Sequence, residues 1–478
     1  MSSPVEAAIR GVVTKGLMSV ANFNRAHRKA KGPNPFLTGV HTPLGSETTL
    51  TDLKVTGAIP AALNGLYLRN GPNPFTPPNP AIHHWFVGDG MLHGVRLEGG
   101  KALWYRNRWV RSAAISKALG ETPIPGPASR FESPNTNVVA IAGKIWALVE
   151  AGGLPVEVSD TLESRTRSDF DGLLAMGYTA HPHEDPLTGE THAICYNSLA
   201  PTTIWHTVID TQGKVRRHEP IAVQDGPSIH DCMITKNHVI VMDLPVTFSM
   251  PALISGETFP YRWNPKHAAR IGLLPREGKG SDIIWCDVEP CYIFHPANAY
   301  ETEDGTVIMD ACVHSAVFAD GQMGPNAPVT TFESLEIDPA ARRVTRTVID
   351  AAPQEFPRPD ERRTGQPYRY AYTVALPENG DPGFVGDPRL YKHDLGSRTR
   401  ETRNFGEGKM TGEFVFVPAH AGAEEDEGWL IGFVIDTAAD TTDLVILNAH
   451  DFTGPAVATI TIPHRIPPGF HGNWIPLA

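Results

Sequence analysis

The chain has 478 residues, 41% hydrophobic and 20% charged, an ordinary globular composition with enough apolar material for one large core rather than a disordered chain. Its formal net charge of -12, with no basic stripe interleaved with aromatics, argues against a nucleic-acid partner. Cys195, Cys232, Cys286, Cys291 and Cys312 are odd in number and lack paired spacing, no apolar run reaches the ~18 to 20 residues of a membrane span, and the first residues lack a signal peptide's apolar core, so reduced thiols in a cytoplasmic protein are expected.

Residues 5 to 30 carry Val5, Ile9, Val12, Val13, Leu17, Val20 and Phe23 at helical spacing, with Arg10, Lys15, Arg25, Arg28 and Lys29 between them. This pattern predicts a basic amphipathic helix. Such a helix either packs its apolar side on the body of the protein or lies at a membrane surface, making the protein peripheral to it. Residues 1–40 are therefore read as an N-terminal helix and lead-in, and 41–478 as a single catalytic-sized domain.

From about residue 45, short β-branched and aromatic runs alternate with Gly, Pro, Asn and Asp. His93–Leu97 and Lys101–Tyr105 flank Gly99-Gly100 as a hairpin, and similar signals recur at 208–215, 335–345 and 433–446. Repeated hairpins with 44 Gly and 43 Pro in the connections suit a closed, radially repeated all-β fold better than a sandwich. The Pro-rich stretches 72–80 and 353–367 read as ordered loops over one face.

Four histidines stand in separate segments that each read as a strand leaving a turn: His181 in Tyr178-Thr179-Ala180-His181-Pro182, His230 in Ser228-Ile229-His230-Asp231, His295 in Phe294-His295-Pro296, and His471 in Gly469-Phe470-His471-Gly472. Imidazole is the commonest metal ligand, and ligands so far apart converge only if the fold brings several elements to a shared axis. By itself the set suits iron, zinc or copper, and a hydrolase or a non-catalytic propeller scaffold stays open.

The wording around these histidines resembles the carotenoid cleavage oxygenase family. Asp287-Val288-Glu289-Pro290-Cys291-Tyr292-Ile293-Phe294-His295-Pro296-Ala297-Asn298 carries most of the likeness, joined by Leu68-Arg69-Asn70-Gly71-Pro72-Asn73-Pro74, Gly88-Asp89-Gly90-Met91-Leu92-His93, Asn135-Thr136-Asn137 and Gly472-Asn473-Trp474. The resemblance implies a seven-bladed β-propeller with a loop and short-helix cap over the metal face. It implies Fe(II) on His181, His230, His295 and His471, with Glu150, Glu355 and Glu413 as outer carboxylates on the histidine Nδ1–H groups. It also implies Thr136 beside an open position, and Glu361 is the rival to Glu355. The activity it implies is cleavage of a conjugated carbon–carbon double bond with O2 into two carbonyl products. The partners would be O2 and a hydrophobic polyene or aryl-alkene.

The chain departs from the family pattern at two places. His183 stands where the family is expected to carry Lys, and Val149 precedes Glu150 where lignostilbene dioxygenases carry a lysine that holds a phenol. The second departure favours a carotenoid or apocarotenoid over a hydroxystilbene or phenylpropene. The remaining histidines, His183, His192, His206, His238 and His314 among them, read as surface or hydrogen-bonded residues. The family's isomerohydrolase branch is disfavoured because its cysteine-bearing membrane segment has no visible counterpart.

Overall fold

A computed structural model describes residues 4–174, 176–318, 324–325, 327–378 and 386–477, with side chains from residue 16 onward. Helices among these are few: Pro4–His27, Ala113–Ala118, Met250–Ile254 and some single turns, and the rest of the regular structure is strand. All four sequence hairpins form as antiparallel pairs, Gly90–Glu98 with Lys101–Trp109, Thr203–Ile209 with Val215–Ala222, Thr330–Asp338 with Arg343–Asp350, and Gly428–Asp436 with Thr441–Asn448. The first turns at Gly99-Gly100 because both residues take positive φ, 54° and 77°, which the tight hairpin twist requires and a Cβ would oppose.

The sheets are arranged in a propeller-like way. Asn137–Ile141, His183–Glu184, Cys232–Ile234, Tyr292–Glu301, Gln354–Arg358, Lys409–Pro418 and Gly472–Pro476 each lie at an end of their sheet's strand order. From His183–Glu184 onward through Gly472–Pro476 to Asn137–Ile141, successive members of this set pack against one another, so they curve around a common axis. Sequence follows position: Tyr292–Glu301 near the axis is buried over eight consecutive residues, whereas Thr399–Asn404 at the rim is polar and almost wholly exposed. Two sheets mix distant parts of the chain. Gly472–Pro476 pairs with Gly65–Pro72, and Lys54–Gly57 pairs with Ala458–Ile462, so neither sheet is complete without both ends of the chain.

Two expectations need correction. Among the described residues, hydrogen bonding divides the strands into five sheets of four or five strands, one of eight and one of two, rather than seven separate blades. The eight-stranded sheet arises because Ile284–Asp287 meets Arg343–Asp350 at one parallel pair, Asp287 with Arg343. The Pro-rich stretch 353–367 is not all loop, since it contains the strand Gln354–Arg358. Its register shifts between Glu355 and Arg358, and Phe356 takes a φ of 54°; Pro357 sits inside this bulge, where its missing N–H breaks no ladder bond.

The five cysteines are buried and unbonded. No helix among the described residues is long and apolar enough to cross a membrane. The N-terminal helix docks through Asn24, whose Nδ2 donates to Ile254 O at 2.7 Å, and through Arg25, which donates to Gly256 and Glu257 carbonyls. Ala21 is buried there, but Met18, Val20 and Phe23 stay exposed, so over residues 16–27 polar groups rather than the apolar stripe make most of the attachment. Val5, Ile9, Val12 and Val13 have side chains outside the described residues.

Candidate metal centre

Each histidine of the sequence constellation sits on an axial strand or in the turn that leads into one. His181 precedes His183–Glu184, His230 precedes Cys232–Ile234, His295 lies inside Tyr292–Glu301 beside a register shift, and His471 precedes Gly472–Pro476. The four are buried, and one ligand atom from each lies within 4.8 Å of the others. His230 Nε2 and His295 Nε2 are 3.1 Å apart, and His181 Nε2 is buried without a hydrogen-bond partner.

The other ring nitrogens explain why those atoms face each other. His230 Nδ1 lies 3.0 and 2.9 Å from the two oxygens of Glu150, His295 Nδ1 is 2.7 Å from Glu355 Oε2, and His471 Nδ1 is 3.1 Å from Glu413 Oε1. A carboxylate fixes the proton on Nδ1 and turns the Nε2 lone pair inward. Lone pairs brought together in a buried pocket repel unless a cation lies among them, so the donor set fits a metal ion. His181 lacks a glutamate; Asp231 Oδ2 stands 3.7 Å from its Nδ1, too far for a hydrogen bond. Asp231 instead accepts from His183 Nε2 at 2.8 Å and from Cys232 N at 2.6 Å.

Electrostatics follow burial and these partners. Burial, and then the neighbouring imidazoles, push His181 well below the usual histidine range, and burial also lowers His471. His295 is held above that range because Glu355 outweighs its burial. Burial alone would raise Glu413, yet Arg358, His471 and the Gly472 N–H bring it down to about 2. Glu355 is likewise held low against burial by His295 and His314. Glu355 and Glu413, held low against their burial beside the imidazoles, make a pocket that attracts positive charge.

Several participants were not singled out as such from sequence. His314 is fully buried and donates Nε2–H to Glu355 Oε1 at 2.8 Å, while its Nδ1 meets Thr330 Oγ1 at 3.1 Å. Arg358 is 3.5 Å from Glu413 and donates to Asn473 Oδ1 at 2.8 Å. Glu361, the rival to Glu355, pairs with Arg358 and keeps its side chain 65% exposed, so it cannot reach a histidine ligand as Glu355 does. The polarity of His314 and Arg358 at strand ends is the only sequence signal for them. His183, His192, His206 and His238 all have hydrogen-bond partners, as one arm of their reading held.

Thr136 is buried, its N–H bonds Leu148 O at 3.0 Å, its Oγ1 donates to Asn135 Oδ1, and its carbonyl accepts from His471 N. It shares the wall of a cavity of about 560 Å³ with His230, His295, His471 and Glu150. Trp85, Phe86, Phe131, Phe259, Phe294 and Phe470 line it too, together with Pro74, Pro78 and Leu253 and with polar side chains such as Arg130 and Ser198. The volume suits a small to medium hydrophobic ligand.

An axial ring of strands enclosing a buried four-histidine group beside a cavity defines a propeller-like fold with a site that could hold a metal ion. The retinal pigment epithelial membrane protein family model matches residues 41–476, and the chain belongs to this family, which includes the carotenoid cleavage oxygenases. A carotenoid cleavage oxygenase of Mycobacterium tuberculosis is 40% identical over 94% of this chain and 98% of its own. Carotenoid 9,10(9',10')-cleavage dioxygenase 1 of Arabidopsis thaliana is 30% identical over 93% and 90%. Among solved structures, Pseudomonas brassicacearum lignostilbene dioxygenase superposes with a TM-score of 0.84 at 25% identity, covering 94% of this chain and all of that one. A cobalt-substituted Synechocystis ACO gives 0.79 at 28% identity, over 91% and 97%.

Proposed function

We propose that His181, His230, His295 and His471 hold Fe(II) and that the protein is an O2-dependent oxygenase, cleaving a conjugated double bond of a carotenoid or apocarotenoid into two carbonyl products. The single observation that carries this is the convergence of four inward-facing imidazoles, three of them backed by carboxylates, at the end of an apolar cavity. Bound there, the iron would supply O2 activation, and the alkene itself would supply the electrons, which matches a sequence without a dinucleotide or phosphate fingerprint. The four histidines would hold the ion, and with no carboxylate among them they would leave it able to bind O2. Glu150, Glu355 and Glu413 keep the rings in one tautomer and orientation. Thr136, in the cavity wall with His230, His295 and His471, would limit water beside the metal. The aromatic walls align the alkene, and this alignment selects the bond cut.

The same reading treats the eight-stranded sheet as two four-stranded blades, Cys232–Asp287 and Tyr292–Asp350, fused at one edge pair, which brings the propeller to seven. It also treats the exposed Val20 and Phe23, near the cavity-lining Met18, as a contact with a membrane surface from which a greasy substrate would be drawn.

A second reading, the same chemistry on a hydroxystilbene or phenylpropene, is favoured by the superposition on lignostilbene dioxygenase. Val149 stands against it: an apolar side chain cannot hold a phenolate. Anaerobic loading with iron, then product mass spectrometry on carotenoids, apocarotenoids and hydroxystilbenes, tests both. An apocarotenal is expected to give the highest kcat/KM. Resveratrol or isoeugenol preferred by about tenfold or more, a difference of ~1.4 kcal/mol, would overturn the polyene choice and leave the cleavage chemistry standing.

A further inference from the structure

The hairpin Val246–Phe248 with Tyr261–Trp263 forms the two-stranded sheet and belongs to no other sheet. Its Tyr261 lines the cavity, is only 4% exposed, and packs against Phe259, Phe248 and Tyr196. Among the described residues three buried tyrosine hydroxyls lack a hydrogen-bond partner, those of Tyr67, Tyr178 and Tyr261, and of these Tyr261 alone is in the cavity wall. The other tyrosines nearby are satisfied: Tyr292 donates to Ser228 O at 3.1 Å, and Tyr196 meets Ser228 Oγ at 3.2 Å. A buried hydroxyl without a partner inside a ligand cavity marks a position that a ligand atom fills.

A second observation falls on the same wall. Arg130 NH1 donates to Ser198 Oγ at 2.5 Å, and both residues line the cavity with Tyr261. Arg130 is exposed, forms no ion pair among the described residues, and lies close enough to Tyr261 to act on it electrostatically, as Glu150 also does. Ser198 is close enough to the Tyr261 hydroxyl to act on it as a side-chain partner, though short of full hydrogen-bond geometry. The cavity wall thus brings together a guanidinium, a serine hydroxyl and a buried phenolic O–H beside its aromatic side chains.

Resting on the proposed alkene cleavage, we infer that Arg130, Ser198 and Tyr261 form a subsite for an oxygen acceptor at one end of the substrate, best satisfied by an oxyanion. The ligand is then a conjugated alkene with a carboxylate or carbonyl terminus rather than a bare hydrocarbon. Tyr261 and Ser198 would donate from the wall, and Arg130 would add a charge-assisted bond. Holding one end fixes how far the double bonds run toward the histidines, so the subsite sets which bond reaches them. A phenolate is the same chemistry from another source, and the subsite would then hold it in place of the lysine that is absent at Val149.

Binding to the metal-loaded protein under anaerobic conditions, where no turnover occurs, tests this without relying on activity. The probes are an apocarotenoic acid, its aldehyde, a hydrocarbon of equal polyene length and resveratrol, followed by quenching of protein fluorescence. The acid is expected to bind roughly tenfold or more tighter than the hydrocarbon, with the aldehyde between, as one charge-assisted hydrogen bond would give. Tyr261→Phe and Arg130→Met should each shrink that ratio toward one, Arg130→Lys should restore part of it, and metal content should stay as in the parent. Resveratrol binding that collapses in the same variants would support the subsite and name a phenol as its source. Equal affinity for acid and hydrocarbon, or a ratio that survives both variants, would overturn it. If the ratio holds while no alkene is cleaved, the proposed activity fails and the subsite stands; if alkenes are cleaved and the ratio is one, the subsite alone fails.

Discussion

Replacing Glu355 by glutamine tests how the carboxylates prepare the centre. Glu355 is fully buried and accepts three N–H groups: His295 Nδ1 at 2.7 Å, His314 Nε2 at 2.8 Å and its neighbour Phe356 N at 2.5 Å. Glutamine keeps the shape but offers one acceptor oxygen, so its NH2 must confront a donor. If it faces His314, that ring can move its proton to Nδ1 and donate to Thr330. If it faces His295, the proton must leave Nδ1 for Nε2, which blocks the lone pair aimed at the metal. One unsatisfied buried donor costs about 1–3 kcal/mol of stability, and loss of an outer partner weakens metal affinity roughly 10- to 100-fold, or ~1.4–2.7 kcal/mol. Glu150→Gln disturbs only His230 and should cost less stability. Anaerobic titration of metal-free protein with Fe(II), alongside denaturant unfolding, reads both quantities. Parental metal affinity in Glu355→Gln, or a larger loss in Glu361→Gln, would refute the assignment.

Alanine at His181, His230, His295 or His471 should each abolish retention of one metal ion per chain in metal analysis, whereas His183→Ala should keep it, because His183 is bonded to Asp231 and is not one of the four converging histidines. Val20→Asp combined with Phe23→Asp should lower co-sedimentation with anionic liposomes by about tenfold or more, since burying each such apolar side chain contributes ~1.5–3 kcal/mol; unchanged sedimentation would remove the membrane contact. His267 is bonded to Asp243 and Asp225, which hold its pKa above the ordinary value of about 6.5 despite burial. Its contribution to stability is therefore fully present below that value and lost as pH rises through the higher folded value. The unfolding free-energy difference between the parent and His267→Gln should shrink with rising pH, and a constant difference would contradict the pairing.

What was legible in the sequence was whatever has a local pattern. The hairpins were readable because Gly99-Gly100 and its counterparts sit between alternating runs, and the four histidines because each stands in a short strand-and-turn phrase. Glu150, Glu355 and Glu413 came only through the family resemblance, since a glutamate near a strand end is ordinarily solvated. His314 was hidden because its partner lies 41 residues away on another strand, a pairing that spacing cannot show. The strand Gln354–Arg358 was masked by Pro353 and Pro357, which read as loop until the bulge is seen. The fusion into an eight-stranded sheet depends on a single pair, Asp287 with Arg343, and leaves no pattern in either strand. On the N-terminal helix, periodicity identified an apolar stripe but could not say what it faces, and over residues 16–27 it faces outward.

The central claim is that this centre uses O2 to cut a conjugated double bond. Protein loaded anaerobically with Fe(II), given an apocarotenal and then O2, should consume O2 and yield two carbonyl fragments whose carbons together account for the substrate, with neither product from His295→Ala. Full iron occupancy with every alkene left intact, or equal product from zinc-loaded protein, would contradict it.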